Sequence, residues 1–387
     1  MFEIEEVRGQ RAKIKVVGVG GAGGNAINNM IASNLHGVEF IAVNTDMQAL
    51  ETSLASVQVQ IGANLTRGLG AGSNPQIGRE AALEDGSVIA EYLEGADMVF
   101  ITAGMGGGTG TGAGPVIASI AKELGVITIA VITKPFFYEG KIRSANAEEG
   151  IKDLRKNVDT LIVIPNDKIG LVVEKGTPLL KSFAVANDVL KQAVQGISDI
   201  ILIPGLINVD FADVKTIIQD KGRGVMGSGV GRGEGGAMDA AKKAISNPLI
   251  EESSIEGAKG ILVNITGGLE LSLNDVQEAV SYVYDSAHEE VHLIFGAVIN
   301  PDIEDEVRVT VIATGFSDQK EKVDLPQIKK WSPLKQPVSL KGSERVLSKT
   351  LRSNIGIDTV ATEIMTYEDH IDVPTFLRKA PQPQKEL

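Results

Sequence analysis

The 387-residue chain contains no cysteine. Disulfides, thiolate nucleophiles and cysteine-bound zinc are therefore excluded. Histidine is nearly as scarce, with only His36, His288, His292 and His370. His288 and His292 stand four apart near an expected helix end, and no metal site is assigned to them. Aromatic residues make up only 4% of the chain. No apolar run is long enough to span a bilayer, and the opening MFEIEEVRGQRAKI lacks the layout of a secretory signal. A cytoplasmic protein without direct membrane insertion is the expectation. A formal net charge of −13 argues against a nucleic-acid partner. Also missing is the phosphate-loop pattern G-x-x-x-x-G-K-[ST], so no loop lysine is available to neutralise a nucleotide.

What the chain has in abundance is glycine, 44 residues of it, within a 43% apolar composition able to build sizeable cores. Five of the seven residues in Gly106-Gly107-Gly108-Thr109-Gly110-Thr111-Gly112 are glycine. The run follows the strand-like Met98–Ala103 and leads into a small-residue segment that reads as a helix. Backbone N–H groups freed of side chains can converge on an anion there, aided by the positive end of the helix. A nucleotide in such a cradle needs backbone dipoles and a metal ion to balance its charge.

The first half of the chain alternates in the manner of an α/β sheet. Strands are expected at Ala12–Val17, Glu39–Val43, Asp97–Ala103, Val126–Thr133 and Thr160–Pro165. Their near-continuous Val/Ile runs suit parallel strands buried on both faces. Helices are expected at Asn25–Ser33, Pro75–Leu93, Gly112–Leu124 and Ser144–Lys156. Leu179–Ile201 reads as a long helix with a broad apolar face, ended by Pro204-Gly205. A second α/β segment follows, with strands at Gly224–Gly227, Gly260–Thr266, Leu293–Asn300 and Val307–Thr314. Its helices are Phe211–Asp220, Glu234–Ser246 and Leu273–Ala287. Val307, Val309, Val311 and Ala313 alternate, which predicts a last strand with one solvated side. From Asp318 to Arg352 nine basic residues face four acidic ones, and Asp318–Lys349 has no lasting periodicity, so a flexible tether is expected. Beyond it, Ile371-Asp372-Val373-Pro374-Thr375-Phe376-Leu377-Arg378-Lys379 regains apolar anchors suited to a partner-binding peptide.

Gly18, Gly20 and Gly23 satisfy G-x-G-x-x-G between a strand and a helix, and Asn44 and Asp46 close the next strand. Alone, these favour a dinucleotide and an NAD(P)-dependent oxidoreductase. A second cradle of such richness shifts the balance toward a triphosphate, and Gly68–Pro75 can cover its outer phosphate. Asn166-Asp167 ends the last strand of the first half, where a base edge could be met. Phe183 and Asn187 share one face of the long helix, a ring that stacks and an amide that donates and accepts. Glu139 and Arg143 are again four apart, as sugar or phosphate ligands or as a plain ion pair. Asp210 and Asp213 open a helix and either cap it or polarise a water for attack on a phosphoryl group. A nucleotide-gated structural protein with negligible hydrolysis remains the other alternative.

These pieces, in this order, resemble the bacterial cell-division GTPases of the tubulin/FtsZ family. The resemblance rests on GVGGAGGNA (18–26), NTD (44–46), GGGTGTGAGP (106–115), EGKIR (139–143), PND (165–167), NDVL (187–190), NVDFADV (208–214) and DVPTFLRK (372–379). It implies a Rossmann-like parallel-sheet GTPase domain at 1–178 and a central helix at 179–204. An α/β activation domain at 205–316, a linker at 317–368 and a partner-binding peptide at 369–387 complete the layout. GTP or GDP with Mg²⁺ is implied as ligand. Phosphate contacts are implied for Gly20, Gly21, Gly107, Gly108, Thr109 and Gly110, and sugar or base contacts for Asn25, Glu139, Arg143, Asn166, Phe183 and Asn187. Gly23, Asn44, Gly70, Gly72, Gly104, Thr111, Thr133 and Pro135 complete the candidate binding set. Asn208, Asp210 and Asp213 are the catalytic candidates, acting on the nucleotide of the next subunit in a head-to-tail filament at the division site. Membrane-anchoring and division proteins are the partners implied for the terminal peptide. Where this chain has Asn187, some relatives carry Asp, and an amide oxygen is the weaker acceptor for guanine's N1–H.

Overall fold

Isoleucine- and valine-rich strands and small-residue helices alternate through the first half, as their patterning dictates. The computed structural model describes residues 12–316, apart from 174–175, 204, 220, 249–254, 289 and 302. They belong to one structural unit, Met1–Glu321; the second unit, which holds most of the expected linker and the terminal peptide, lies outside the described residues. In chain order the elements begin β1 (Ile14–Val19), α1 (Gly20–Ala32), β2 (Val38–Asn44), α2 (Met47–Glu51), β3 (Val57–Gln60), α3 (Ala63–Thr66), α4 (Pro75–Glu84) and α5 (Gly86–Leu93). They continue with β4 (Met98–Gly104), α6 (Thr109–Glu123), β5 (Ile127–Lys134), α7 (Lys141–Arg155), β6 (Thr160–Pro165), α8 (Asn166–Val172) and the 24-residue α9 (Leu179–Leu202). The last group is α10 (Phe211–Ile218), β7 (Gly222–Arg232), α11 (Gly236–Ile245), β8 (Gly260–Gly267), α12 (Leu273–Asp285), β9 (His292–Ile299) and β10 (Glu306–Thr314).

All ten strands form one sheet in the order β3-β2-β1-β4-β5-β6-β7-β10-β8-β9. Pairing is parallel from β3 through β7 and between β8 and β9, while β10 runs antiparallel to β7 and β8. The first six strands have the order of a doubly wound nucleotide-binding fold, whose switch point lies between β1 and β4. One face packs against α1, α9 and α10 through Ile27, Met30, Val194 and Ile217. The other packs against α4 to α7 through Ala81, Ile89, Ile117 and Leu154.

Four expectations are corrected. The glycines read as a loop before Asn25 are the first turn of α1, and α4 and α5 are separate helices. They part at Asp85, whose carboxylate accepts the Gly62 N–H at 2.7 Å. β7 extends to eleven residues in spite of its glycines, because α11 lies on it at backbone contact. A Cβ at Gly231 would stand 1.9 Å from the Gly236 carbonyl oxygen. β10 has no solvated side from Val309 onward, since it is an interior strand with α9 on one face and α11 on the other. His288-Glu289-Glu290-Val291-His292 carries the letters H-E-x-x-H, a metal-binding pattern only when both imidazoles share one helix face. α12 stops at Asp285 and His292 opens β9, so the two imidazoles share no helix.

Toward its far end α9 carries a buried carboxylate, Asp199, beside a cavity of about 760 Å³ that it lines with Asn264, Arg308 and Thr310. Burial pushes the Asp199 carboxyl up to about 6, against a Gln195 hydrogen bond and the attraction of Arg308, which pull it down. The folded chain therefore holds this proton more tightly than the unfolded chain. Its stabilising effect is complete at low pH and is lost as pH rises from about 4 to about 6. Asp199→Asn cannot ionise and is expected to gain about 1–3 kcal/mol over the parent at pH 7. Urea unfolding at pH 4 and pH 7 checks this, and parallel pH profiles for the two proteins would refute it.

Candidate functional site

Two helices begin side by side at the carboxyl ends of β1 and β4. α1 starts at Gly20 and α6 at Thr109, and neither has a side-chain cap at its preceding residue, Val19 or Gly108. Asp46, Asn74, Asp210 and Ser272 cap α2, α4, α10 and α12, while α3, α5, α7, α8, α9 and α11 also lack a side-chain cap. The first-turn N–H groups of α1 and α6 thus remain available to an anion, with both helix dipoles directed at it. The two starts are close: a Cβ at Gly20 would lie 3.0 Å from the Gly110 nitrogen. Gly20 itself has φ +72° and Gly106 φ +98°, backbone conformations that only glycine adopts freely.

The glycines of the cradle divide into two physical kinds. A Cβ on Gly21 or Gly107 would meet nothing within 4 Å, so the fold itself does not demand glycine there. Both places leave room for a ligand. Gly23, Gly104, Gly108 and Gly110 are instead demanded by packing. Their Cβ atoms would fall 2.5 Å from the Thr102 carbonyl oxygen, 2.6 Å from the Ala22 Cβ, 2.7 Å from the Ala71 Cβ and 2.8 Å from the Gly104 carbonyl oxygen. Thr111 is buried, and its hydroxyl accepts the Gly106 N–H at 2.8 Å, bracing the loop from within. Gly70 and Gly72 lie in the turn before α4 with φ +84° and +58°, and the Gly70 N–H is tied to the Thr45 carbonyl at 3.2 Å. Asn44 joins Gly20, Gly21 and Asn25 around a cavity of about 230 Å³.

A neighbouring cavity of about 210 Å³ gathers the sugar and base candidates. Asn25, Gly104, Thr133 and Pro135 are among the residues that line it. Glu139, Arg143, Asn166, Phe183 and Asn187 supply the remaining candidates, so residues from six elements and the connection between β5 and α7 meet as the spacing suggested. Glu139 and Arg143 do pair, at 2.9 Å, and the other Glu139 oxygen accepts the Phe136 N–H at 2.9 Å. Asn166 is buried, and its Oδ1 finds no hydrogen-bond donor in the protein. An orphaned amide oxygen in a cavity wall is suited to a donor on a purine edge. Phe183 is 42% exposed, and Phe136 meets it edge-on at 5.6 Å, holding its ring in place. Phe136, Met105 and Leu190 were not singled out from sequence. The run Phe136-Phe137-Tyr138, in a chain so poor in aromatics, was the available signal.

Asn208, Asp210 and Asp213 are exposed and stand elsewhere. Asp210 Oδ1 accepts the Asp213 N–H at 2.8 Å, capping α10, and Asn208 Oδ1 accepts the Gly205 N–H at 2.6 Å. α10 is anchored to the amino end of β6, where the Thr160 hydroxyl donates to the Ile218 carbonyl at 2.7 Å. The carboxyl end of β6 leads directly into Asn166. α9 spans the same gap, with Phe183 and Asn187 near its start and Leu202 against Gly37, ahead of the amino end of β2. Its 24 residues extend about 36 Å. Within one chain the acidic loop and the phosphate cradle therefore lie at opposite ends of the sheet.

Comparison with known proteins agrees with this architecture. Residues 13–174 match the model of the Tubulin/FtsZ family GTPase domain, and residues 222–317 match that of the FtsZ family C-terminal domain. A solved FtsZ from M. jannaschii, described as an empty dimer, is 44% identical with a TM-score of 0.76, over 80% of this chain and 89% of that one. CetZ2 from Haloferax volcanii, in a GTPγS-bound protofilament, shares the fold with a TM-score of 0.67 and 21% identity, over 80% and 94% of the two chains. With two helix ends trained on one anion site, an aromatic-walled cavity beside it and both family domains in sequence, the chain is a GTPase of the tubulin/FtsZ family.

Proposed function

We propose that copies of this chain associate head to tail into filaments, each junction completing a GTPase site that neither copy holds alone. The observation that carries this reading is the separation of the cradle and the acidic loop along β6 and α9. A contact between these two poles joins unlike surfaces, so it need not close and can repeat indefinitely. The M. jannaschii relative being a dimer supports association. In this reading Gly20, Gly21, Gly107, Gly108, Thr109 and Gly110 offer backbone donors to the phosphates. Phe183 stacks on the base, and Asn166 and Asn187 read its edge. Glu139 and Arg143, with Asn25, hold the sugar. Asn208, Asp210 and Asp213 of the adjoining copy orient a water for attack on the γ-phosphate. Among the described residues no cluster of three or more His, Asp or Glu side chains could hold a metal ion. Mg²⁺ would therefore ride mainly on the nucleotide's own phosphates, neutralising charge that the lysine-free cradle does not. Loss of the γ-phosphate weakens the junction, so hydrolysis limits filament lifetime.

We keep the proposed division at 1–178, 179–204 and 205–316, with the tether at 317–368. The peptide at 369–387 is read as the contact for membrane-anchoring and division proteins, its apolar Ile371, Val373, Phe376 and Leu377 lying beside basic Arg378 and Lys379. That attachment would concentrate the filaments at the division site. No helix among the described residues is long and apolar enough to cross a membrane. The test of the central claim is phosphate release at graded protein concentration. Turnover per chain is expected to collapse on dilution and to rise steeply on concentration. Constant turnover down to the lowest dilution would refute an active site shared between copies.

A further inference from the structure

Thr45 stands between Asn44 and Asp46 at the end of β2 and is fully buried. A hydroxyl withdrawn from water needs a partner. Its partner is the hydroxyl of Thr109, the first residue of α6, with the two oxygens 2.7 Å apart. The Thr45 carbonyl accepts the Gly70 N–H at 3.2 Å and the Thr66 hydroxyl at 3.2 Å. One residue thus touches both the cradle and the turn that flanks it.

Each hydroxyl has a single proton, so the pair has two arrangements. If Thr109 donates to Thr45, the Thr109 oxygen turns only lone pairs toward the cradle, and these repel a phosphate. If Thr45 donates to Thr109, the Thr109 proton is free to point at the phosphate. An anionic acceptor favours the second arrangement, and the aligned chain of donors polarises along its length. We propose that Thr45 is a positioning residue for the phosphate cradle: its buried hydroxyl donates to Thr109 and directs the Thr109 proton onto bound phosphate. This rests on the reading above that Thr109 contacts phosphate. Thr45 touches no substrate itself and acts through its neighbour.

The experiment measures GTP and GDP affinity for the parent, Thr45→Val, Thr45→Ser, Thr109→Val and the Thr45→Val/Thr109→Val double variant, with thermal unfolding alongside. Thr45→Val is expected to weaken both nucleotides about five- to tenfold, the worth of one hydrogen bond feeding a charged acceptor. Thr45→Ser keeps the hydroxyl and is expected to bind like the parent even if its melting temperature falls. In the Thr109→Val background the further loss on Thr45→Val is expected to shrink below about twofold. An undiminished second loss, or a Thr45→Ser defect as large as that of Thr45→Val, would overturn the proposal. Unchanged affinity in Thr109→Val would instead overturn the phosphate reading on which it stands. Should Thr45→Val fail to fold, Thr45→Ala, which removes the hydroxyl without adding bulk, carries the same comparison.

Discussion

Asp213→Ala is expected to slow phosphate release by about two orders of magnitude or more while leaving GTP affinity within about twofold. Removing a group that orients or deprotonates the attacking water costs on that scale. Affinity is spared because Asp213 lies at the far end of β6 from the cavity that Asn166 and Phe183 line. Asp213 is also the cleaner of the two aspartates to change. Asp210 caps α10, so Asp210→Ala carries a stability cost of about 1 kcal/mol that would blur the result. Mixing gives the sharper form of the test. Asp213→Ala chains keep an intact cradle, and Gly107→Leu chains keep an intact acidic loop. The Gly107 side is open, so the leucine occupies ligand space and does not collide with the fold. Equal amounts of the two inactive proteins are expected to recover measurable hydrolysis. A mixture as inactive as its parts, or Asp213→Ala chains that no longer bind GTP, would sink the shared-site mechanism.

Gly112→Ala is expected to be among the most damaging single-methyl additions in the molecule, costing about 3 kcal/mol or more. Its Cβ would lie 1.9 Å from the Pro75 carbonyl oxygen and 2.6 Å from the Arg79 nitrogen, both backbone atoms of α4. The opposite partner is equally tight, since a Cβ at Gly78 would sit 2.4 Å from the Gly108 carbonyl oxygen. The two helices meet backbone to backbone across these glycines, and α4 could accept a methyl only by lifting off the phosphate loop. Nucleotide binding is therefore expected to fall together with the melting temperature. Gly114→Ala, two residues along α6 and facing open space, is expected to be neutral or to stabilise by about 0.5–1 kcal/mol. Equal melting temperatures for the two variants would show that the α4–α6 contact is wrongly described.

The sheet was legible because parallel strands buried on both faces leave runs of Val and Ile, and β1, β2, β4, β5 and β6 all carry such runs. β3 was not, since Val57-Gln58-Val59-Gln60 is a four-residue edge strand too short to show a period. β7 was largely hidden because glycine is a poor strand former, and the close approach of α11 that demands Gly229 and Gly231 among its five glycines shows only in the fold. The cavity candidates could be read because polar residues at strand ends and within an apolar helix face need a reason to be there. Asn166 and Asn187 are of that kind. Gly21 and Gly23, by contrast, look alike in a motif, yet one leaves room for a ligand and the other holds a helix against a strand. Thr45 is one more threonine in the sequence, and only its 2.7 Å approach to Thr109 sets it apart. Nor can chain order reveal that Asp210 and Asp213 stand beyond reach of their own cradle. That follows from the direction in which β6 and α9 run.

The bare beginnings of α1 and α6 carry a cost that selection cannot remove. A side-chain cap of the kind Asp46 or Ser272 provides would supply the missing acceptor and steady such a helix by about 1 kcal/mol, although at Gly108 any Cβ would already stand 2.7 Å from the Ala71 Cβ. The same oxygen would rival the phosphate for those N–H groups, and a carboxylate would repel it outright. Stability and substrate capture compete here for one set of donors, so the catalytic half of the molecule is held below the stability its own backbone would allow.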